Sequence, residues 1–188
     1  MITARAGTPL AEIEQALRDK GQMLAFEPPH FGDHATLGGC IAAGLSGPRR
    51  AYAGAVRDAV LGIRMLDGKG DDLRFGGQVM KNVAGFDVSR LMAGSLGTLG
   101  VILEVSLKVL PLPVAEATLG FERSAGDALA DMNEWAGKPL PLSATAWHDG
   151  RLHVRLSGAS AAVNAAVTAL GGERLDDAAA AQYWTGIR

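Results

Sequence analysis

Glycine is concentrated in one part of this sequence. Fifteen of its 25 glycines lie between Gly32 and Gly100, interleaved with Leu, Ile, Val and Met. Flexible Gly/Ser linkers lack such apolar neighbours, so the segment is predicted to form short buried strands and helices joined by tight turns. Where glycines adjoin small hydroxyl residues, at 36–39 and 94–100, the backbone can approach a ligand closely and offer its amides to phosphate or ring atoms. This pattern predicts a large, flat, phosphorylated cofactor, with tight turns alone as the alternative.

Composition excludes several classes of protein. Charged residues make up 20% of the 188 residues, hydrophobic residues make up 48%, and the formal net charge is -2. These values argue against disorder and against binding to a nucleic acid backbone. The one cysteine, Cys40, excludes an intramolecular disulfide and a multi-thiolate metal site, and no apolar run approaches the roughly 20 residues of a membrane-spanning helix. We therefore expect a cytoplasmic protein that binds no nucleic acid.

Local signals predict the elements of the first 112 residues. Hydroxyl and acidic N-caps, proline at a first helical position and glycine stops mark the helices, and apolar alternation marks the strands. The predicted elements are a strand at Ile2–Arg5, a helix capped by Thr8 and ended by Gly21, a strand at Met23–Phe26, a helix from Thr36 through Ala43 ended by Gly44, a hairpin of Ala59–Leu66 and Leu73–Phe75, a helix from Asp87 to Met92, and a strand at Val101–Leu110. In the last strand, Val101, Leu103, Val105, Leu107 and Val109 are predicted to share one buried face.

The composition changes after Pro111-Leu112-Pro113, where glycine becomes sparse and alanine-rich helical periodicity begins. We place a boundary there, between domains of residues 1–112 and 113–188. The predicted elements of the second domain are a strand at Glu116–Glu122, a helix at Ser124–Ala136, strands at Ser143–Trp147 and Leu152–Leu156, and a helix at Ser160–Leu170 with Ser160 as its N-cap. This β-α-β-β-α order is that of a ferredoxin-like domain without its final strand, which either Glu173–Leu175 supplies or the chain lacks.

The sequence contains no standard catalytic motif. There is no GxxxxGK[ST], HExxH or GxSxG, and the glycine run at 94–100 precedes a strand rather than a helix, so a P-loop is excluded and a Rossmann site is disfavoured. The histidines at positions 30, 34, 148 and 153 are interpreted as surface residues, and no metal site is predicted. Cys40 is interpreted as a small buried hydrophobe rather than a nucleophile. Arg49 and Arg50 are interpreted as an exposed basic loop, with pairing to a phosphate or a carboxylate substrate as the alternative.

Four ordered segments resemble a known family. They are residues 36–47 (TLGGCIAAGLSG), 57–62 (RDAVLG), 79–87 (VMKNVAGFD) and 94–102 (GSLGTLGVI). Together they are similar to the FAD-binding domain of the vanillyl-alcohol oxidase flavoproteins, the PCMH-type FAD-binding family, and within it to the FAD-binding subunits of bacterial glycolate oxidases. Leu96 stands where D-lactate dehydrogenase relatives tend to carry Glu, which favours the glycolate oxidase group. The resemblance implies an α+β fold, the second subdomain of a PCMH-type FAD-binding domain followed by a partial ferredoxin-like α+β cap domain.

The resemblance also implies a site for FAD. The residues expected to contact the cofactor are Pro29, Thr36, Gly38, Gly39, Cys40, Ala43, Gly44, Gly97, Gly100, Val101 and Ile102. Amides exposed by glycine would donate to phosphate and ring oxygens, and Val101 and Ile102 would offer backbone groups to the adenine. The resemblance leaves the catalytic residues unassigned.

The function implied by the resemblance is that of an FAD-binding subunit in a glycolate oxidase or dehydrogenase complex, which oxidises glycolate to glyoxylate by hydride transfer to the flavin. The implied partners are a second flavoprotein subunit, an iron–sulfur subunit and a small 2-hydroxy acid, and these subunits would hold the protein peripherally at the inner membrane. The alternatives are a structural or assembly subunit without functional flavin, and a D-lactate dehydrogenase-like flavoprotein.

The resemblance further implies neighbouring segments. In the family, a subdomain with a glycine-rich pyrophosphate loop precedes the part that matches this chain, and a longer cap segment follows it. We therefore expect a chain truncated at both ends, with weak or absent FAD affinity and little turnover by itself. The open sheet edge and apolar face that such a truncation leaves would favour a homodimer or a docked partner.

Overall fold

The chain folds into short helices and strands. The computed structural model describes residues 1–77 and 85–188. The strands are β1 (Ile2–Arg5), β2 (Gln22–Met23), β3 (Val60–Leu66), β4 (Asp72–Gly76), β5 (Val101–Leu107), β6 (Leu110–Pro111), β7 (Ala115–Glu122), β8 (Leu142–His148), β9 (Arg151–Gly158) and β10 (Glu173–Arg174). The helices are α1 (Leu10–Arg18), α2 (Leu37–Ala43), α3 (Arg50–Ala53), α4 (Val56–Ala59), α5 (Val88–Leu91), α6 (Ala125–Ala136), α7 (Ser160–Leu170) and α8 (Asp177–Gly186). This mixture of helix and sheet confirms the predicted α+β class. Most of the third family segment, residues 79–84, lies outside the described residues.

Two compact units make up the structure. The first comprises Met1–Arg50 and Gly54–Leu112, and the second comprises Ala51–Ala53 and Pro113–Arg188. Each unit has its own cluster of buried apolar side chains. None of the helices in the described ranges combines the length and the apolar character that crossing a membrane requires.

The first unit is built on a four-stranded antiparallel sheet in the order β1-β5-β3-β4. Its core is shared by the apolar faces of α1 and α2 and by the inward side chains of β3 and β5, and its fully buried members include Leu10, Leu37, Ile41, Val60, Val105 and Leu107. The predicted start and end of α2 are confirmed. Thr36 Oγ1 accepts a hydrogen bond from Gly39 N at 3.3 Å, and Gly44 ends the helix in the left-handed conformation with φ +70°.

The alternation predicted for residues 101–110 is wrong at the first residues of the strand. Arg64 on β3 lies opposite Glu104, but Met65 lies opposite Ile102, so Leu103 is an extra residue in the ladder. Such a β-bulge reverses the side-chain alternation. Ile102 is therefore 9% exposed and packs into the core, whereas Val101 is 62% exposed.

Several element boundaries also differ from the predictions, and the strand predicted at Val101–Leu110 ends at Leu107. Helix α1 begins at Leu10 with Pro9 at its N-cap, one residue later than predicted. The strand predicted at Met23–Phe26 is observed at Gln22–Met23, because the chain turns at Leu24, where Glu27 N donates to Leu24 O at 3.1 Å. Helix α7 has Ala159 rather than Ser160 at its N-cap, with no side-chain hydrogen bond there.

The second unit is a four-stranded antiparallel sheet in the order β10-β7-β9-β8. Its final strand is Glu173–Arg174, so of the two alternatives left open by the sequence, the ferredoxin-like order is completed by the chain itself. Helices α6 and α7 pack on the apolar face, against Leu119, Leu152, Val154 and Leu156 among others. Helix α8, which the sequence analysis did not predict, packs on the other face, where Trp184 Nε1 donates a hydrogen bond to Thr118 Oγ1 at 2.8 Å.

Candidate functional site

Helix α2 is held against the segment that follows β1. Gly38 N donates to Ala6 O at 2.7 Å, and Leu37 N donates to Thr8 O at 2.9 Å. A Cβ atom on Gly38 would lie 2.7 Å from Ala6 Cβ, so only glycine allows this approach. The first turn of α2 therefore lies directly beside the 6–8 turn, and a groove opens along each side of it.

We call the first of these the glycine groove. It has a volume of about 410 Å³ and is lined by Ala6, Gly7, Thr36, Gly38, Gly39, Ala42, Gly97, Gly100, Val101 and Ile102. Its two walls come from distant parts of the chain, α2 and the segment leading into β5. They are joined by backbone hydrogen bonds, since Gly94 N donates to Ile41 O at 3.0 Å and Leu96 N donates to Ala42 O at 2.9 Å.

We call the second the apolar cavity. It has a volume of about 360 Å³ and is lined by Leu10, Pro29, Phe31, His34, Ala35, Thr36, Gly39, Cys40, Ala43 and Leu45. It shares Thr36 and Gly39 with the glycine groove, so the two spaces adjoin at the first turn of α2. Both volumes lie in the range typical of small-molecule and cofactor sites.

Ten of the eleven site residues expected from the resemblance line one of these two spaces. Pro29, Cys40 and Ala43 line the apolar cavity, Thr36 and Gly39 line both, and the rest except Gly44 line the glycine groove. Gly44 lines neither, because it packs against Gly94, whose Cα would lie 2.7 Å from a Cβ at position 44. That these residues contact a ligand stays a prediction.

Packing within the chain explains several of the glycines. A side chain at Gly38 would meet Ala6, and one at Gly100 would meet the carbonyl of Leu66. At Gly7 and Gly97, by contrast, nothing lies within 4 Å of the position of a Cβ atom. These two glycines are the positions in the groove where the absence of a side chain leaves open space for a ligand.

Eight of the lining residues were not expected from the sequence. They are Ala6, Gly7, Leu10, Phe31, His34, Ala35, Ala42 and Leu45. Most are small or apolar and carry no chemical signature of a site. The most noticeable signal is Phe31, an aromatic side chain that is 80% exposed and directly follows the Pro28-Pro29-His30 loop.

The structure corrects the interpretation of Arg49 as an exposed residue. Arg49 is 8% exposed, its Nε donates to Glu27 Oε1 at 3.3 Å, and its backbone N donates to Glu27 Oε2 at 2.9 Å. Arg50 is exposed, as predicted. Cys40 is partly buried and packs against the core, in agreement with its interpretation as a small apolar residue.

The interpretation of His153 as a surface residue is also wrong. The side chain is 8% exposed and stacks on Tyr183 of α8, with 3.9 Å between ring centroids. Burial, together with the positive charge of Arg151, lowers the pKa of His153 below its ordinary value. Burial likewise raises the pKa of Tyr183. Within residues 1–77 and 85–188, no cluster of three or more His, Cys, Asp and Glu side chains could hold a metal ion.

Part of the chain matches a known family. Residues 1–76, which include β1, α2 and most of the residues that line the two grooves, match the family described as FAD binding domain. This match supports FAD, the cofactor that the resemblance implied.

Relatives extend the similarity over the whole chain. The glycolate oxidase subunit GlcE of Escherichia coli is 53% identical over all 188 residues, which correspond to 53% of that protein. The glycolate oxidase subunit GlcD of Bacillus subtilis is 36% identical over 117 residues, 62% of this chain and 25% of that protein. The D-2-hydroxyglutarate dehydrogenase of Xanthomonas citri is 30% identical over 162 residues, 85% of this chain and 34% of that protein. The chain thus spans about half the length of the first of these relatives and less of the other two.

A solved structure supports the same fold. Alkyldihydroxyacetonephosphate synthase superposes on 97% of this chain and 44% of its own with a TM-score of 0.72 at 20% sequence identity. Together with the family match, this similarity confirms the predicted PCMH-type fold.

The residues of the two grooves fit FAD. The cofactor combines a flat apolar ring with a polar pyrophosphate and needs both kinds of surface. The apolar cavity offers Leu10, Pro29 and Phe31, and the adjoining glycine groove offers unobstructed backbone at Gly7 and Gly97.

Proposed function

We propose that the protein is the FAD-binding subunit of a glycolate oxidase or dehydrogenase complex. The proposal rests on one observation above all, the meeting of a glycine-lined groove and an apolar cavity at Thr36 and Gly39 in a chain 53% identical to a glycolate oxidase subunit. When bound, FAD supplies the hydride acceptor for oxidation of glycolate to glyoxylate.

The residues of the chain itself bind the cofactor and shield part of it from water. At Gly7 and Gly97 nothing lies within 4 Å of the Cβ position, so the charged and polar parts of the cofactor can approach the backbone there closely enough to accept from its amides. Leu10, Pro29 and Phe31 exclude water from the part that enters the apolar cavity. These roles need no proton transfer by the chain.

We further propose that the 188 residues by themselves turn over little substrate. Among the described residues that line the two grooves, His34 supplies an imidazole and Cys40 a thiol, but no carboxylate lines either groove, so no acid–base pair can be named there. Two of the relatives are named as subunits of glycolate oxidase, which supports partners that complete the reaction. We propose a second flavoprotein subunit and an iron–sulfur subunit as those partners, in a cytoplasmic complex held peripherally at the inner membrane.

Titration with FAD tests the proposal directly. Although the affinity of this chain alone is expected to be weak, quenching of flavin fluorescence on addition of the purified chain at high concentration should still saturate, at one FAD per chain. A folded chain, by circular dichroism, that gives no saturable quenching would contradict FAD binding and favour a purely structural subunit. Addition of the partner subunits should then give oxidation of glycolate in preference to D-lactate, whereas turnover of D-lactate alone would assign the protein to the lactate dehydrogenases.

A further inference from the structure

Two segments that line the apolar cavity meet at Glu27 and Arg49. Pro29 and Phe31 follow Glu27 in the chain, and Ala43 and Leu45 precede Arg49. Between the two segments, Gly47 N donates to Phe26 O at 2.8 Å. A side chain at Gly47 would collide with the backbone carbonyl of Glu27, so the two segments are in direct backbone contact.

The contact is reinforced by an enclosed ion pair. The Glu27 carboxylate accepts from Arg49 N at 2.9 Å through one oxygen and from Arg49 Nε at 3.3 Å through the other. The side chain of Glu27 is 15% exposed and that of Arg49 is 10% exposed. Because the pair is so far removed from water, water cannot readily replace either side chain, and loss of one of them is expected to disturb the contact between the two segments.

Glu27 also has an unusual backbone conformation. Its φ is +49°, in the left-handed region that non-glycine residues rarely adopt. Such a conformation persists only where surrounding contacts hold it. The two hydrogen bonds from Arg49 are contacts of this kind, and they act at the residue from which the Pro28-Pro29 run departs.

We propose that Arg49 is a positioning residue for the cofactor site, acting through Glu27 on the wall formed by Pro29 and Phe31. Consecutive prolines are stiff, so the direction set at Glu27 is transmitted along the wall to Phe31. The inference deepens the proposed function and rests on it for the identity of the ligand. Arg49 binds no part of FAD; it sets the distance between the wall and α2.

Paired substitutions separate this role from a simple charge effect. Arg49→Met and Arg50→Met each remove one positive charge from adjacent positions, but Arg50 is exposed and outside the ion pair. We expect Arg49→Met to weaken FAD binding at least tenfold and Arg50→Met to change it less than twofold. Equal losses in the two variants would mean general electrostatic attraction and would overturn the proposal.

Glu27→Gln tests the proposal because the two roles that Arg49 could have predict different changes in FAD affinity. If Arg49 contacted the phosphates of FAD itself, removal of the competing carboxylate would leave binding unchanged or strengthen it. If Arg49 acts through Glu27, the same substitution should weaken binding about as much as Arg49→Met. Arg49→Lys keeps the charge but lacks Nε, and it should restore only part of the affinity lost in Arg49→Met.

The rate of alkylation of Cys40 provides a readout that needs no FAD. Cys40 lines the cavity, is partly buried, and is the only cysteine of the chain. Displacement of the wall should make its reaction with a maleimide several-fold faster in Arg49→Met and Glu27→Gln, and leave it unchanged in Arg50→Met. Thermal unfolding and near-UV circular dichroism establish whether each variant is folded. If Arg49→Met does not fold, the alkylation rate and FAD affinity of Glu27→Gln test the proposal in its place.

The two readouts distinguish the possible failures. A folded wild type that binds no FAD would contradict the proposed function, while the alkylation rates would still decide whether the ion pair holds the wall. Normal FAD affinity and normal alkylation rates in Arg49→Met would contradict the positioning role and leave the proposed function intact.

Discussion

Gly44 and Gly94 pack backbone against backbone, so closely that a Cβ atom on Gly44 would lie 2.7 Å from the Cα of Gly94. Beside this contact, Gly94 N donates to Ile41 O, which also accepts from Gly44 N, and Leu96 N donates to Ala42 O in the last turn of α2. The contact joins α2 to the segment 94–102. It therefore holds together the two walls of the glycine groove.

Substitution at Gly44 should be much more destabilising than at a glycine of similar φ in open space. Gly21 has φ +65° and nothing within 4 Å of the Cβ position, whereas Gly44 combines φ +70° with the contact to Gly94. We expect Gly21→Ala to lower the free energy of unfolding by about 1 kcal/mol, the cost of the left-handed conformation. Gly44→Ala should lower it by about 2–4 kcal/mol, since overpacking adds to that cost. Urea unfolding measures both, and equal losses would contradict the packing role.

Gly7 should tolerate a side chain in the fold but not in the complex with FAD. Because nothing lies within 4 Å of its Cβ position, Gly7→Leu should change the free energy of unfolding by less than about 0.5 kcal/mol. The new side chain would occupy part of the glycine groove and should weaken FAD binding at least tenfold. Gly126→Leu, the same change in α6 of the second unit, is the matched control and should leave FAD affinity unaltered. A Gly7→Leu variant with wild-type affinity would exclude this groove as the FAD site.

The hydrogen bond between Trp184 and Thr118 should anchor α8. Both residues are buried, at 5% and 2% exposed, so neither group can exchange its partner for water. Trp184→Phe and Thr118→Val should each be destabilising, and a double-mutant cycle should give a coupling of about 1 kcal/mol. Trp147, which is 39% exposed and donates to Arg123 O, provides the control. If Trp147→Phe is as destabilising as Trp184→Phe, burial does not explain the contribution of the Trp184–Thr118 hydrogen bond to stability.

Acidification should destabilise the second unit through His153. The pKa of His153 is lowered in the fold by burial and by Arg151, against smaller opposing effects of Glu122 and Glu173, while Tyr183 covers the ring. The folded state thus favours the neutral imidazole. Its stabilising contribution is complete above the unfolded-state pKa of about 6.5 and is lost as the pH falls through and below that value, at no more than about 1.4 kcal/mol per pH unit.

Urea unfolding at pH 7.5 and pH 5.5 measures this effect. His153→Phe preserves an aromatic ring beside Tyr183, and its free energy of unfolding should fall less on acidification than that of the wild type. His148→Phe makes the same change at an exposed position and should behave like the wild type. If all three proteins respond alike to pH, His153 does not contribute to the acid sensitivity.

Several interactions between neighbours in sequence were predicted correctly, although the N-caps expected at Thr8 and Ser160 lie one residue away, at Pro9 and Ala159. The cap of α2 at Thr36, its glycine stop and the cap of the short helix at Asp87 depend on residues three or four apart, and all three are observed. Ten of the eleven candidate site residues also line the two grooves, because the family segments that carry them fold as local turns and helix starts.

Predictions failed where distant segments meet. The burial of Arg49 depends on Glu27, 22 residues earlier in the chain. The burial of His153 depends on α8, and the reversal of alternation at Val101 depends on where β3 pairs with β5. A local pattern contains no information about which side chain or strand will lie opposite.

The amino-acid sequence alone determined the α+β class and the order of helices and strands in most of the chain. It also determined the glycine-rich segments in which the resemblance to the FAD-binding family lies. These follow from backbone preferences and apolar periodicity, which act over a few residues. Only the tertiary structure decided which glycines face open space and which allow two backbones to touch, and that Arg49 holds Glu27 instead of facing solvent. Those outcomes depend on the separation of atoms far apart in the chain, which is set when the core packs.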